Sequence, residues 1–372
     1  KIIMAASMLL CLLSGPVSAT WREVEAPKRH SEVWDAERRN AVTFPSSSYL
    51  PGTTPYENRS LYLTEGADKS IPQNYNHCEQ GWCTPNLNQH LPQYCGSCWA
   101  HAAISSLQDR IKRIRVEQKK DLGPDITLSV QHILNCPLAD KEDENSQVGS
   151  CWGGTTDGPY ALIKHRFSTQ KENDFAAGRG LAYSTENPYL ACSSDSTEGF
   201  CGQIKDTLLK CEPDNIARNC DTFADYGGSC QAIPEYPNAK IDAYGTINTT
   251  AQGTDALKLE ILHRGPVSCG VDANYLVDYG TGVIPLEKDL QQPYEIDHVV
   301  SIVGWGKQGN TEYWIGRNSW GEYWGERGFF RSEFGALALG EDCAWGNIKS
   351  FTVMEDVHYS EQGENLENGG SK

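Results

Sequence analysis

The chain has 372 residues, of which 39% are hydrophobic, so it can bury a substantial core and is long enough for two subdomains. Its formal net charge of −17 at pH 7 argues against a nucleic-acid partner. Carboxylates that become neutral at low pH would suit an acidic compartment.

Residues 1–19 are predicted to be a secretory signal peptide. Lys1 precedes an apolar stretch that Gly15-Pro16 interrupts, and Val17-Ser18-Ala19 is a small-residue cleavage site. The stretch is too short to span a membrane and no later segment is long and apolar enough, so no membrane partner is expected. Because the sequence starts with lysine and not methionine, residue 1 need not be the natural start.

The segment from Gln89 to His101 places a thiol where a loop becomes a helix. Apolar residues recur beyond Cys98 at steps of three and four and predict an amphipathic helix: Trp99, Ala103, Leu107, Ile111 and Ile114. Cys98 would lie in the first turn of this helix. Free backbone N–H groups and the helix macrodipole lower the pKa of a thiol at such a position, so Cys98 is a candidate thiolate nucleophile.

The pair Cys95 and Cys98 allows two interpretations. A dithiol at a helix start suits a disulfide oxidoreductase, which would be a short domain with few other cysteines. In the other interpretation Cys95 is structural and Cys98 is the nucleophile, which requires a histidine base and an orienting amide or carboxylate elsewhere.

A histidine and an asparagine far downstream meet that requirement. Asp297 to Trp305 and Thr311 to Asn318 are strand-like runs, and the glycine-bearing loop between them predicts a hairpin. With the turn centred on Gln308, His298 falls opposite Asn318. The sequence thus predicts that the base and its orienting amide lie together, in a register that depends on the turn centre.

Further elements follow the usual helix and strand signals. The predictions are a short helix within 128–135, a strand over 240–245, a helix over 255–263 and a strand over 267–271. Residues 355–372 are acidic and contain glycine, which is typical of a disordered tail.

The cysteine count supports Cys98 as the nucleophile. Of 14 cysteines, Cys11 leaves with the signal peptide, and setting Cys98 aside leaves an even number that could form six disulfides in an oxidising compartment. A zinc site is the rival explanation for clustered cysteines, but the signal peptide and the cysteine spacing both disfavour it. No metal or organic cofactor is expected.

Five motifs resemble those of the papain-type cysteine peptidases, in the chain order of that family. They are Gln93-Tyr-Cys-Gly-Ser-Cys-Trp-Ala-His101, Leu128-Ser-Val-Gln-His-Ile-Leu-Asn-Cys136, Cys151-Trp-Gly-Gly154, Asp297-His-Val-Val300 and Tyr313-Trp-Ile-Gly-Arg-Asn-Ser-Trp-Gly-Glu-Tyr-Trp-Gly-Glu-Arg-Gly328. The likeness runs from about Ile71 to about Phe351.

This resemblance implies an α+β, papain-like, two-lobed fold. A helical left lobe would carry Cys98, a β-rich, barrel-like right lobe would carry His298 and Asn318, and the active-site cleft would lie between them. The peptidase domain would span 71–354. The polar segment 20–70, which by composition alone is a flexible arm, would be a short propeptide.

The resemblance also implies roles for the remaining site residues. Gln89 would bind the oxyanion, although it stands three residues further from the nucleophile than the family's glutamine usually does. The insertion His90-Leu91-Pro92 explains the offset and resembles a loop whose histidine binds the substrate's terminal carboxylate in carboxypeptidases of this family. Tyr94 and Trp320 would border the substrate, with Trp320 mainly shielding the His298–Asn318 hydrogen bond. Gly153 and Gly154 would offer backbone hydrogen bonds to the substrate, unless they only turn a loop.

Family resemblance further pairs Cys95 with Cys151 and Cys136 with Cys201. Proximity then suggests Cys192 with Cys211, Cys220 with Cys230 and Cys78 with Cys83, and leaves Cys269 with Cys343. Sequence alone leaves this connectivity open.

The predicted function is that of a cysteine carboxypeptidase acting on peptides and proteins, as a monomer, in a lysosome-like acidic vacuole or outside the cell. Three other functions stay open: an endopeptidase with the same chemistry, a redox enzyme using Cys95 and Cys98, and a catalytically silent binding protein.

Overall fold

The computed structural model describes residues 70–119, 123–136, 148–170, 174–223, 228–287 and 294–353. The expected signal peptide, nearly all of the expected propeptide and the acidic tail lie outside these residues.

Seven α-helices occur in the described ranges: α1 (Cys98–Gln118), α2 (Val130–Asn135), α3 (Gly158–Leu162), α4 (Cys201–Ile204), α5 (Pro213–Ile216), α6 (Thr249–Gln252) and α7 (Thr254–Arg264). A π-helix over Ile163–Phe167 continues α3, and short 3-10 helices span Ala273–Tyr275 and Ala336–Ala338. The predicted helices within 128–135 and 255–263 are confirmed, with bounds shifted by one or two residues.

Most of the strands form one large mixed sheet. The strands are β1 (Tyr75–Asn76), β2 (Gly149–Ser150), β3 (Gly153–Gly154), β4 (Leu181–Ala182), β5 (Arg218–Cys220), β6 (Cys230–Ala232), β7 (Asn238–Ile247), β8 (Val267–Val271), β9 (Val283–Ile284), β10 (His298–Gln308), β11 (Thr311–Arg317), β12 (Phe329–Glu333) and β13 (Cys343–Phe351). The nine-stranded sheet has the order β4-β7-β13-β8-β10-β11-β12-β9, with β1 added on β10. Only the β9–β12 pair is parallel among the described strands.

Two hydrophobic cores lie on either side of this sheet's central strands. The first core gathers α1, α2 and α3, and the second lies among β8, β10, β11, β12, β13 and α7. Val299 of β10 belongs to the first core, whereas its neighbours Val300 and Ile302 belong to the second. The expected two-lobed α+β fold is thus confirmed. Within the described strands no pairing joins the end strands β4 and β9, so the sheet is open and does not close into a barrel.

Helix α1 is buried more completely than an amphipathic helix would be. Its apolar positions are buried as the spacing predicts, but so are Gln108, Asp109 and Arg110 on its other faces. Buried polar groups persist only when they are hydrogen-bonded or paired. Each of these three side chains has such partners, and α1 is therefore the central element of the first core.

The β10–β11 hairpin forms as predicted, but the predicted register is wrong. Gln308 pairs with Thr311 across the two-residue turn Gly309-Asn310, and Gly309 adopts a φ of 62° that suits glycine. The turn centre therefore lies beyond Gln308, and His298 is not directly opposite Asn318.

A β-bulge restores a register that keeps the two side chains on one face. Gly304 pairs with Ile315 but Ile302 pairs with Gly316, so Val303 is an extra residue on β10. Ser301 then pairs with Arg317, and continuing by one residue puts Asn318 opposite Val300. His298 lies two residues from Val300 and so on the same face, as a diagonal neighbour of Asn318. Without the extra residue, Asn318 would point to the opposite face.

Strand β1 holds the bulge in place. The Val303 carbonyl accepts a hydrogen bond from the His77 N–H at 3.0 Å, and β1 pairs with Gly304 and Trp305. A Cβ atom on Gly304 would clash with the Tyr75 carbonyl oxygen. A glycine is therefore needed where β1 meets the bulge.

Six disulfides form among the described residues, as the cysteine count predicts. The pairs are Cys78–Cys83, Cys95–Cys151, Cys136–Cys211, Cys192–Cys201, Cys220–Cys230 and Cys269–Cys343. The predicted pairs Cys136–Cys201 and Cys192–Cys211 are wrong. Cys201 starts helix α4 next to Cys192, and both sulfurs lie in a small buried cluster with Leu209, away from Cys136.

His132 in α2 is a buried neutral histidine. Its Nδ1 atom accepts a hydrogen bond from the Ala182 N–H at 3.1 Å, and its ring stacks on Phe167 with 4.1 Å between ring centroids. Burial, and secondarily the charge of Arg166, lower the pKa of His132 from 6.5 to about 3. The folded state therefore excludes a proton that the unfolded chain binds below pH 6.5.

We expect His132→Asn to flatten the acid dependence of stability. The folded-state pKa is the lower one, so this group reduces the free energy of unfolding by about 1.4 kcal/mol per pH unit as pH falls below its unfolded pKa. Asparagine can still accept from Ala182 but does not titrate. Urea unfolding at about pH 7 and about pH 4.5 should show a smaller loss for the variant than for the parent. Equal losses would contradict this assignment.

Candidate active site

Cys98 is the first residue of α1 and is fully buried. The loop before it is fixed by the Cys95–Cys151 disulfide and by the Gly96 N–H, which donates to the Cys151 carbonyl at 2.7 Å. Cys98 is the one cysteine of the described chain that lies outside a disulfide. Because Cys95 is bonded to Cys151, the structure contradicts the redox interpretation of the Cys95 and Cys98 pair.

His298 and Asn318 form a buried hydrogen bond. The distance from His298 Nε2 to Asn318 Oδ1 is 2.8 Å. The Ser319 N–H also donates to Asn318 Oδ1 at 2.8 Å, which identifies that atom as the amide oxygen. An amide oxygen only accepts, so Nε2 of His298 carries a hydrogen. In the neutral ring, Nδ1 is then the atom that can take up a proton.

Trp320 covers the imidazole ring. Its ring centroid lies 5.1 Å from that of His298, and Trp324 packs edge-on against Trp320 at 5.2 Å. The ring lies where the sequence analysis expected it, beside the His298–Asn318 hydrogen bond. An apolar cover strengthens such a bond by excluding water.

Helix α1 and strand β10 run side by side in the same direction. His77 bridges the middle of the helix and the middle of the strand. Its N–H donates to the Val303 carbonyl at 3.0 Å, and its ring lies 3.5 Å from the Asp109 carbonyl oxygen. Earlier in both elements, the Ser106 and Ser301 hydroxyls are 2.9 Å apart. Lower residue numbers of the helix thus match lower numbers of the strand.

The starts of α1 and β10 therefore lie at the same end of this contact. Cys98 is eight residues before Ser106, roughly 12 Å along a helix. His298 is three residues before Ser301, roughly 10 Å along a strand. The thiol of Cys98 and the imidazole of His298 therefore lie at the same end of the contact between α1 and β10.

Gln89 connects the two elements at that end. Its Nε2 atom donates to the Cys95 carbonyl at 3.0 Å, and its Oε1 atom accepts from the Ser319 hydroxyl at 2.6 Å. Its backbone N–H donates to the Ser319 carbonyl at 2.9 Å. Gln89 is fully buried between the loop that leads into Cys98 and the residue after Asn318.

His90, in the inserted loop, lies against Tyr94, two residues beyond that loop. Their rings stack with 4.8 Å between centroids and an interplanar angle of 9°. The His90 N–H donates to Asn88 Oδ1 at 3.0 Å, and Tyr94 is 44% exposed.

Gly153 and Gly154 form β3, which pairs with β2. Gly153 has a φ of 121°, and a Cβ atom on Gly154 would lie 2.5 Å from the Trp99 ring. Both positions thus require glycine for structural reasons. A substrate-binding role for their backbone stays a prediction.

Sequence reasoning missed Ser319 and Arg317, which flank Asn318. Ser319 links Asn318 to Gln89, and Arg317 binds Asp109 of α1 with Nη1 2.8 Å from Oδ2. The Arg-Asn-Ser motif gave a signal for their position but none for their partners, which lie more than 200 residues earlier in the sequence.

A buried thiol at a helix start, near an imidazole that an amide orients, is the arrangement of a cysteine peptidase. The family model for papain family cysteine proteases matches residues 71–348. This chain belongs to that family.

Individual relatives agree with this assignment. The chain is 34% identical to a cathepsin Z from Onchocerca volvulus over 277 residues, which covers 72% of this chain and 73% of the relative. It is 26% identical to cathepsin K of Gallus gallus, over 82% of this chain and 70% of the relative. The predicted resemblance to the papain-type cysteine peptidases is confirmed.

The fold is also that of a solved relative. The structure of digestive procathepsin L2 proteinase from Tenebrio molitor larval midgut aligns with a TM-score of 0.54 at 18% identity, covering 84% of this chain and 80% of that one.

Among the described residues no helix combines the length and apolar character needed to cross a membrane.

We expect Asn318→Ala to lower the acylation rate less than His298→Ala does. The first change misorients the imidazole, whereas the second deletes it. Single-turnover assays of the two variants and the parent provide the measurement. Asn347→Ala is a matched control, because it removes an asparagine that bonds Asp242 on the exposed side of β13. An Asn318→Ala enzyme as active as this control would contradict the role of the hydrogen bond.

Proposed function

We propose that this papain-family peptidase is a carboxypeptidase that releases single C-terminal residues from peptides and proteins. The proposed catalytic residues are Cys98, His298, Asn318 and Gln89. The observation that carries the carboxypeptidase assignment is the stacking of His90, which directly follows Gln89 in the inserted loop, on Tyr94.

In the proposed mechanism the Cys98 thiolate attacks the scissile carbonyl carbon while His298 is protonated. The carbon–nitrogen bond then breaks, and His298 gives its proton to the leaving amine, which yields an acyl-enzyme and the released residue. Water, deprotonated by neutral His298, attacks the acyl carbon. The carbon–sulfur bond then breaks, which releases the shortened peptide as a carboxylic acid and regenerates the Cys98 thiolate beside protonated His298. Asn318 keeps Nε2 of the imidazole occupied, so Nδ1 performs each transfer.

Two N–H donors would stabilise the tetrahedral oxyanion. One is the backbone N–H of Cys98, the first residue of α1, at the end of the helix where the macrodipole favours negative charge. The other is the Gln89 side-chain amide, whose second hydrogen is available beside the one bonded to Cys95. One such donor is typically worth about 3 kcal/mol of transition-state stabilisation.

His90 would recognise the substrate's terminal carboxylate. It follows the proposed oxyanion residue Gln89 directly, so its imidazole would lie on the leaving-group side, about one substrate residue beyond the scissile bond. Stacking on Tyr94 restricts the ring, which lowers the entropy cost of holding it in place. A charge-assisted hydrogen bond to a carboxylate is worth about 1.5 to 3 kcal/mol, or roughly ten- to a hundredfold in preference.

The similarity to a cathepsin Z supports a carboxypeptidase, whereas the similarity to cathepsin K leaves an endopeptidase as the second candidate. Both activities use the same catalytic residues. They differ in whether a free C-terminus is needed.

The parent enzyme should cleave peptides with a free C-terminus at acidic pH and lose most activity when the C-terminus is amidated. His90→Ala should raise KM for free-carboxylate peptides roughly ten- to a hundredfold, because the lost contact binds ground state and transition state alike. Steady-state assays on one peptide, prepared with a free and with an amidated C-terminus, test this prediction.

His165→Ala serves as the control for removal of a histidine. His165 lies away from the site, where its Nε2 is 3.3 Å from the Tyr244 hydroxyl. Equal cleavage of the free and amidated peptides by the parent enzyme would remove the carboxypeptidase assignment and leave the endopeptidase in its place.

The processing and location of the protein are part of the proposal. A signal peptide (1–19) and a short propeptide (20–70) would precede the peptidase domain, and because residues 20–70 contain no cysteine, the propeptide would block Cys98 sterically and not by a disulfide. Six disulfides and the exposed Asn248 of the glycosylation sequon Asn248-Thr249-Thr250 support passage through the secretory pathway. We propose that the protein acts in a lysosome-like vacuole or is secreted, and that it is a monomer. The acidic composition fits both proposals.

A further inference from the structure

The hydroxyl group of Tyr189 lies between the two segments that supply the proposed oxyanion donors. It is 2.7 Å from the Gln89 carbonyl oxygen and 2.7 Å from the Ser97 hydroxyl. Ser97 directly precedes Cys98, whose backbone N–H is one donor, and Gln89 carries the other. One hydroxyl therefore contacts both segments.

The direction of these hydrogen bonds follows from the available hydrogens. The Gln89 carbonyl can only accept, so Tyr189 donates its single hydroxyl hydrogen to it. Tyr189 then has no hydrogen left for Ser97. The Ser97 hydroxyl therefore donates to the Tyr189 oxygen.

His101 begins this chain of hydrogen bonds. Its Nδ1 atom lies 3.0 Å from the Ser97 carbonyl and 3.2 Å from the Ser97 hydroxyl oxygen. A carbonyl only accepts, and the hydroxyl hydrogen is used on Tyr189, so Nδ1 carries the hydrogen and donates. The His101 and Tyr189 rings also meet edge to face at 4.7 Å. All donors in the chain point towards Gln89, and such aligned bonds strengthen one another.

Among the described residues, Ser319 is the other residue that hydrogen-bonds the Gln89 backbone. The Gln89 N–H and Oε1 atoms both bond Ser319, which follows the β10–β11 hairpin. The contact from Nε2 to the Cys95 carbonyl is made by the side-chain amide and does not hold the Gln89 backbone. Tyr189 is the contact that ties the Gln89 backbone to the start of α1.

We propose that Tyr189 is a positioning residue that sets the distance between the Gln89 amide and the Cys98 backbone N–H. This inference rests on the proposed oxyanion role of Gln89. Tyr189 does not touch the reacting atoms; it acts through Gln89 and Ser97.

Tyr189→Phe is the direct test, since it removes only the hydroxyl. We expect kcat to fall about tenfold, part of the loss caused by deleting an oxyanion donor, while KM stays within about twofold. The affinity for a peptide aldehyde, whose adduct with the thiol places an oxygen at the oxyanion position, should fall by about the same factor as kcat. Tyr236→Phe is the matched control, because it removes a buried hydroxyl that bonds the Gly180 carbonyl at 3.1 Å.

A double variant shows whether Tyr189 acts through Gln89. In the Gln89→Ala background, Tyr189→Phe should cause little further loss of kcat, because the group that it positions is gone. The inference is overturned if Tyr189→Phe matches Tyr236→Phe in kcat and aldehyde affinity, or if its effect is as large in the Gln89→Ala background as in the parent.

Gln89→Ala separates this inference from the function on which it rests. If Gln89→Ala keeps the parent's kcat, the oxyanion role of Gln89 is wrong and the inference falls with it. If Gln89→Ala is slow but Tyr189→Phe is not, only the positioning role is wrong. Both outcomes are independent of the preference for free C-termini that tests the carboxypeptidase assignment.

Discussion

A buried ion pair between Asp109 and Arg317 joins the elements that carry the proposed catalytic residues. Asp109 belongs to the helix that starts at Cys98, and Arg317 directly precedes Asn318. The other oxygen of Asp109 accepts from both the N–H and the hydroxyl of Thr84, at 2.8 and 2.7 Å, on the segment that leads to Gln89. Burial raises the pKa of Asp109, and the Arg317 charge and the Thr84 hydrogen bonds oppose that shift. Loss of either partner would leave a buried charge unpaired, typically at a cost of about 3 to 5 kcal/mol. The ion pair and the Thr84 hydrogen bonds thus hold α1, the end of β11 and the segment before Gln89 together.

The histidine and asparagine illustrate how far sequence reasoning could go. Hairpin geometry predicted that His298 and Asn318 lie together, and they do, at 2.8 Å between Nε2 and Oδ1. The reason given was incomplete, because the turn centre was misplaced. The two side chains share a face only through the bulge at Val303, and that bulge is held by the His77 N–H. No local pattern around Val303 encodes a contact with a residue more than 200 positions earlier.

Other features divide in the same way. The start of α1 at Cys98, strand 267–271 and four of the disulfide pairs followed from local spacing or family resemblance. The partners of Cys136 and Cys192 did not, because several cysteines between 192 and 211 were equally reachable along the chain. No sequence pattern indicated a role for Tyr189. Its role depends on a hydrogen-bond direction that appears only once Ser97, His101 and Gln89 are placed around its hydroxyl.

In the proposed mechanism His298 keeps the Cys98 sulfur as a thiolate, and the pH dependence of Cys98 alkylation reports whether it does. With uncharged iodoacetamide, the rate for the parent enzyme should change little from about pH 8 down to about pH 5, because a protonated imidazole stabilises the thiolate. In His298→Ala the rate should fall about tenfold per pH unit below about pH 8, as for an ordinary thiol. A parent enzyme whose alkylation rate followed this ordinary-thiol curve would show that His298 does not hold Cys98 as a thiolate.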